Sequence, residues 1–202
     1  TTALAADPSL KPIEEAAPEE VSAAIRESLE NQGFRVLSGE KVLMELWLRT
    51  EIPVKEQGGG DLGVSFGNLQ PGTLIGVVHF PEEWADYKNN PIGAGVYTLR
   101  YAVQPADGNH VGISQYRDFL LLLQAATDVE VETSLGPDEL VVQSYASTGK
   151  PHPGTMALFP LYEVAPEPKL MRNEMDQWTL AVDRGALQMG LVVEGHGELE
   201  GY

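Results

Sequence analysis

Between residues 41 and 195 the chain returns repeatedly to short apolar runs cut off by Gly, Pro, Asn and Asp, and no helical stretch separates most of them. No other feature constrains the fold as strongly. "KVLMELWLRTEI" (41–52) alternates, with Val42, Met44, Leu46 and Leu48 on one side and Glu45, Trp47 and Arg49 on the other. Side chains two positions apart share one face of a strand, so this period marks a strand with one face turned to a core. "GTLIGVVHF" (72–80), "AGVYTLRYAVQ" (94–104), "RDFLLLL" (117–123), "TMALFPLY" (155–162), "QWTLAVDR" (177–184) and "QMGLVVEG" (188–195) read as further strands bounded by turn residues. Parallel neighbours need a long crossover between them, usually a helix, and the spacing leaves no room for one at each step. The pattern predicts an all-β fold, an antiparallel β-sandwich or jelly roll with one or two short helices.

Two stretches carry helical signals. After Pro18-Glu19-Glu20, residues Val21, Ala24, Ile25, Ser28 and Leu29 recur at helical spacing, which predicts a helix over about 19–31. "PDELVVQSYAST" (137–148) has Pro137 at its start and Gly149 just beyond its end, the expected asymmetry of a short helix. Residues 1–17 are rich in Ala, Pro and Glu, show no strand pattern and are expected to form an extended tail before a single β-sandwich domain over 18–202. At 202 residues with 43% hydrophobic side chains, the chain can fill a sizeable core.

Charge and cysteine usage narrow the functional classes. Thirteen Lys and Arg against 30 Asp and Glu leave a formal net charge of −17, which repels phosphate backbones and argues against nucleic-acid binding. The acids are spread along the chain and suit solvation, or the capture of a cation or a basic partner surface. The chain has no cysteine, which excludes disulfides, thiolate catalysis and iron–sulfur clusters and suits an oxidising compartment. Ala3-Leu4-Ala5 before Ala6-Asp7 has the small-x-small form of an export cleavage site, so a mature exported protein is expected. No run approaches the length of a membrane span, so a transmembrane segment is not expected.

The chemistry-bearing residues sit in or beside loops. His110, His152 and His196 with Asp118 are the side chains from which a divalent metal site can be built, although none shows close ligand spacing, and no other cofactor is expected. Asp107, Gly108 and Asn109 form strong turn chemistry between two strands, with Gly and Asn suited to positive φ and Asp to backbone amides. Arg100, Arg117 and Asp118 flank that turn, and an Arg–Asp pair tying it to the sheet is the expected arrangement. A Gly-x-Ser-x-Gly hydrolase elbow is absent, and the glycines of "EQGGGDLG" (56–63) lack the Lys-Ser/Thr of a phosphate loop. Trp84, Tyr87, Tyr97, Tyr101 and Tyr116 either form a sugar-stacking face or alternate between core and rim.

Several blocks carry a likeness. "WLRTEIP" (47–53), "PGTLIGVVHF" (71–80), "GVYTLRYAVQPADGNHVG" (95–112), "RDFLLLL" (117–123), His152-Pro153 and "GLVVEGHGE" (190–198) resemble a family of exported, functionally uncharacterised bacterial proteins known chiefly from Acidobacteria, Planctomycetes and related phyla. The resemblance covers most of residues 18–198. It implies a secreted or periplasmic location and supplies no activity, cofactor or catalytic residue. The expected function is that of an exported, non-enzymatic binding or accessory module with a protein partner, as in an extrinsic periplasmic subunit of a larger membrane complex. The alternatives are a metal-dependent enzyme built on the histidine cluster and a carbohydrate-binding sandwich using Trp84, Tyr87 and Tyr101.

Overall fold

Strand period and turn residues translate directly into the architecture of a computed structural model, which describes residues 7–56, 61–86, 89–106, 116–163 and 166–195. In chain order the elements are Pro8–Ile13 (β1), Ala23–Ser28 (α1), Gly33–Ser38 (β2), Lys41–Leu48 (β3), Leu74–Phe80 (β4), Trp84–Ala85 (β5), Pro91–Ile92 (β6), Gly95–Val103 (β7), Asp118–Gln124 (β8), Pro137–Thr148 (α2), Thr155–Pro160 (β9), Lys169–Arg172 (β10), Trp178–Asp183 (β11) and Gln188–Glu194 (β12). One ten-stranded sheet runs in the order β1-β2-β3-β4-β7-β8-β9-β12-β11-β10, and β5 pairs with β6 in a separate two-stranded ribbon. Every neighbouring pair is antiparallel. Over the described residues the protein is therefore all-β with two short helices, as its strand pattern predicts.

The layers arise from one sheet that bends. Strand β9 is the corner: Thr155, Met156 and Ala157 pair with β8, while Leu158, Phe159 and Pro160 pair with β12. A strand that changes partners midway turns the sheet. The two halves then enclose a single apolar cluster. It takes Met44, Leu46 and Leu48 from β3, Leu99 and Tyr101 from β7, Leu120 and Leu122 from β8, and Leu180, Val182, Leu191 and Val193 from β11 and β12. The outer edges β1 and β10 come into contact, with Arg172 Nη2 3.7 Å from Asp7 Oδ1, so the sheet curls nearly into a barrel.

The helices explain why some strands are apolar on both faces. Ile25 of α1 and Val21 before it cover Trp47, Leu74 and Val77 on the outside of β3 and β4. Leu140 of α2 covers Leu121, Leu123 and Ala102 on the outside of β7 and β8. The four consecutive leucines at 120–123 thus alternate between the core and the floor under α2. Helix α2 occupies the expected residues. Pro137 opens it, the Gly136 N–H donates to Glu139 Oε2 (2.8 Å), and Gly149 ends it in the left-handed region at φ 66°.

Two expectations need correction. The expected tail, residues 1–17, contains strand β1, which pairs along its whole length with β2 from Pro8 opposite Ser38 to Ile13 opposite Gly33. Pro8 and Pro12 hide this strand in the sequence. They lack an N–H and are tolerated because β1 lies at the sheet edge. Ile13 at its end and Ala17 beyond it are buried, and Trp47 Nε1 donates to the Glu15 carbonyl (2.8 Å). The helix expected over 19–31 is only Ala23–Ser28. Leu29 leaves it to bridge Arg49, while the Glu30 N–H reaches the Leu48 carbonyl and the Thr50 N–H reaches the Ser28 carbonyl, each at 2.9 Å. Partners at and just beyond the end of β3 thus satisfy backbone groups that a longer helix would have bonded internally.

Candidate ligand pocket and polar clusters

The residues singled out in the sequence do not share one place. His110, His196, Asp107, Gly108, Asn109 and Tyr87 lie outside the described residues. Asp118 begins β8 on its core-facing side and is 3% exposed. Its Oδ2 accepts the Ser65 N–H (2.7 Å), and its Oδ1 accepts the Phe66 N–H (3.1 Å) and the Tyr101 hydroxyl (2.7 Å). The carboxylate thereby pins the loop before β4 to the sheet. Burial and that hydrogen bond push the Tyr101 hydroxyl well above the usual tyrosine range, so it stays a donor. His152 lies just beyond α2. Its Nδ1 donates to the Pro153 carbonyl (2.9 Å), and its own carbonyl accepts Thr148 Oγ1 (2.7 Å). Among the described residues, no three His, Asp or Glu side chains are grouped to hold a metal ion.

Arg117 does tie chain segments together. Its Nε donates to the Gln104 carbonyl (2.8 Å), and its Nη1 to the Leu62 carbonyl (3.1 Å). Of the Arg–Asp pairs that the sequence allows, Arg100 with Asp118 does not form. The register sets Leu121 opposite Arg100 and Val103 opposite Asp118, and the two charged side chains leave the sheet on opposite faces.

Arg100 instead clamps the loop that follows β8. It is 0% exposed. Its Nε and Nη2 grip Asp128 Oδ2 and Oδ1 at 2.8 and 2.9 Å, a bidentate pair. Nη1 donates to the carbonyls of Gly72 (3.1 Å) and Val131 (2.8 Å), and Nη2 also reaches the Glu130 carbonyl. All five guanidinium donors are therefore used. Thr98 Oγ1 adds a 2.5 Å hydrogen bond to Asp128 Oδ2.

A second polar row crosses the outer face of β2, β3 and β4, where Arg35, Glu45 and His79 stand opposite one another. Arg35 Nε donates to Glu45 Oε1 at 2.7 Å, and His79 Nδ1 lies 2.9 Å from Glu45 Oε2. Burial alone would raise the Glu45 carboxyl, but the hydrogen bonds from His79 and Arg35 outweigh it and hold the group below the ordinary glutamate range. This is a cross-strand charge ladder.

The aromatic residues separate into core and pocket. Trp84 stacks on Phe80 at 4.9 Å between ring centroids and donates Nε1 to the Val193 carbonyl (3.1 Å). The Tyr97 hydroxyl donates to the Gly93 carbonyl (2.8 Å), and Tyr101 is buried in the core. Tyr97 and Tyr101 are buried and Trp84 is half-buried against the core, so these three rings do not form an outward stacking face. Tyr116 behaves differently. It lies just before β8 and packs edge-on against Phe159 of β9, with centroids 5.1 Å apart and an interplanar angle of 73°. Its hydroxyl oxygen is 2.8 Å from that of Tyr162, which is 76% exposed.

These rings form one side of a cavity of about 250 Å³, completed by Glu163, Met171, Glu174 and Met175. The β10–β11 hairpin supplies the other wall, and Asn173 shapes it. Asn173 Oδ1 accepts the N–H groups of Met175 and Gln177, both at 3.0 Å, and its Nδ2 donates to Gln177 Oε1 (2.8 Å). This side chain supports a tight turn in which Asp176 takes φ 57°. Arg172 also borders the cavity, but its Nη1 bonds Asp176 Oδ1 (2.5 Å) and its guanidinium carbon lies 4.8 Å from the centroid of the Trp178 ring. The Tyr116 hydroxyl is pushed up to about 12, first by its hydrogen bond to Tyr162, then by burial and by the negative charge of Glu174. Apolar walls with a few convergent polar groups are the usual make-up of a ligand pocket. Sequence reasoning finds Tyr116 among the aromatic candidates but misses Phe159, Tyr162 and the hairpin wall. Their only local signal is "RNEMDQ" (172–177), turn chemistry between two short apolar runs.

Comparison with known protein families, with curated proteins and with solved structures finds no match to this chain.

Proposed function

We propose that the protein is an exported, non-enzymatic binding module that docks a protein partner through the Tyr116–Tyr162 pocket, as an accessory subunit beside a membrane complex. The pocket itself carries this reading: three aromatic residues and two methionines line it, and one of them, Tyr162, is highly exposed. Tyrosines and methionines of this kind are favoured where one protein grips another. The net charge of −17 adds long-range attraction for a basic surface. The Ala3-Leu4-Ala5 triplet, the lack of cysteine and the resemblance to exported bacterial proteins support the compartment. No helix among the described residues is long and apolar enough to cross a membrane.

Site-specific photocrosslinking in the native organism tests the proposal. A photoreactive residue at position 162 should capture a discrete partner, and one at Val142, exposed on α2, should not. Equal capture at both positions, or none at 162, would count against the pocket as the docking site.

A further inference from the structure

Building on the binding-module reading, we propose that the pocket receives a lysine side chain from a basic protein partner. The chemistry of the lining selects such a group. Tyr116, Phe159 and Tyr162 offer aromatic surface, and Met171 and Met175 offer polarizable apolar contact for a four-carbon stem. Glu163 and Glu174, both exposed, line the same cavity. One hydroxyl hydrogen is spent between the two tyrosines at 2.8 Å, and a phenol oxygen is itself an acceptor. An ammonium group brings three donors and no acceptor, which suits a rim of carboxylate and phenol oxygens. Arg172, the only cation among the described residues lining this cavity, is already held by Asp176 and by the face of Trp178, so it does not cancel the two glutamates. An anionic ligand would meet those glutamates and a net charge of −17.

The five methionines make the test direct. Met171 and Met175 line the pocket, whereas Met44, Met156 and Met189 are core residues and serve as internal controls. The protein, labelled with ¹³C at the methionine methyl groups, is titrated with three blocked tripeptides of glycine flanking lysine, norleucine or glutamate. The lysine peptide should move the Met171 and Met175 signals alone. It should bind about tenfold more tightly than the norleucine peptide, the size expected from an exposed cation–π contact combined with weak ion pairing. The double variant Glu163→Gln with Glu174→Gln should lose most of that preference while still binding the norleucine peptide. Equal or tighter binding of norleucine or glutamate would overturn the lysine inference and leave the pocket as a docking site. If no peptide moves the two signals, the lysine inference also falls, and the docking reading falls with it only if position 162 captures no partner.

Discussion

Replacing Asp128 with Ala should destabilise the protein far more than breaking any of its exposed ion pairs. Arg100 is fully buried, and Asp128 neutralises it through two hydrogen bonds of 2.8 and 2.9 Å. Asp128→Ala strands that guanidinium with only the carbonyls of Gly72, Glu130 and Val131. Breaking a buried pair by removing one partner costs about 3–5 kcal/mol, because the remaining charge stays desolvated. For a chain of this size that corresponds to a fall in Tm of roughly 6–20 °C. Urea unfolding followed by fluorescence measures it, with the midpoint moving and the slope unchanged. The double variant Arg100→Met with Asp128→Ala should be more stable than the sum of the two single losses, since a well-packed apolar replacement of an ion pair is often near neutral. A loss below about 1 kcal/mol for Asp128→Ala would match an exposed ion pair and refute the clamp.

Three further outcomes follow from particular contacts. Glu45 has a lowered folded-state pKa, so its contribution is present above the ordinary glutamate pKa and is lost as pH falls through the lower, folded value; Glu45→Gln should therefore cost about 1 kcal/mol near neutrality, with the gap to the parent closing in acid, as paired urea titrations would show. Gly76 lies against β3, where an added Cβ would collide with the Trp47 carbonyl oxygen, so Gly76→Ala should lose about 1–3 kcal/mol by thermal denaturation, and a neutral result would contradict the strand packing. In an ultraviolet pH titration Tyr116 should ionise up to about 12, and Tyr162→Phe should move that step down toward the ordinary tyrosine value.

Legibility in the sequence depends on the range of the interactions. Alternation in 41–52 and the later apolar runs suffice for strands β3, β4, β7, β8, β9, β11 and β12, because the period of two is a local property of the backbone. The same holds for α2, whose start and stop residues are adjacent to it. Strand β1 escapes because its two prolines break the pattern that pairing along an edge restores. The Arg100 clamp escapes because its partner lies 28 residues away in a loop, and sequence parity alone does not tell which face a charged residue leaves from. Asp118 stands out in the sequence beside its turn, but its partners Ser65 and Phe66 come from a distant loop. The pocket is the least legible part. It exists only because β9 turns the sheet and brings residues 159–163 beside Tyr116 and the 171–175 hairpin.

Partner retention in the native organism, compared between the parent protein and Tyr162→Ala, tests docking through the pocket most directly. Tyr162 is 76% exposed, so the variant should fold with an unchanged Tm. A partner that co-purifies with the parent from the membrane fraction should be lost from the variant. Undiminished recovery of the same partner by the folded variant would contradict the pocket as the docking site.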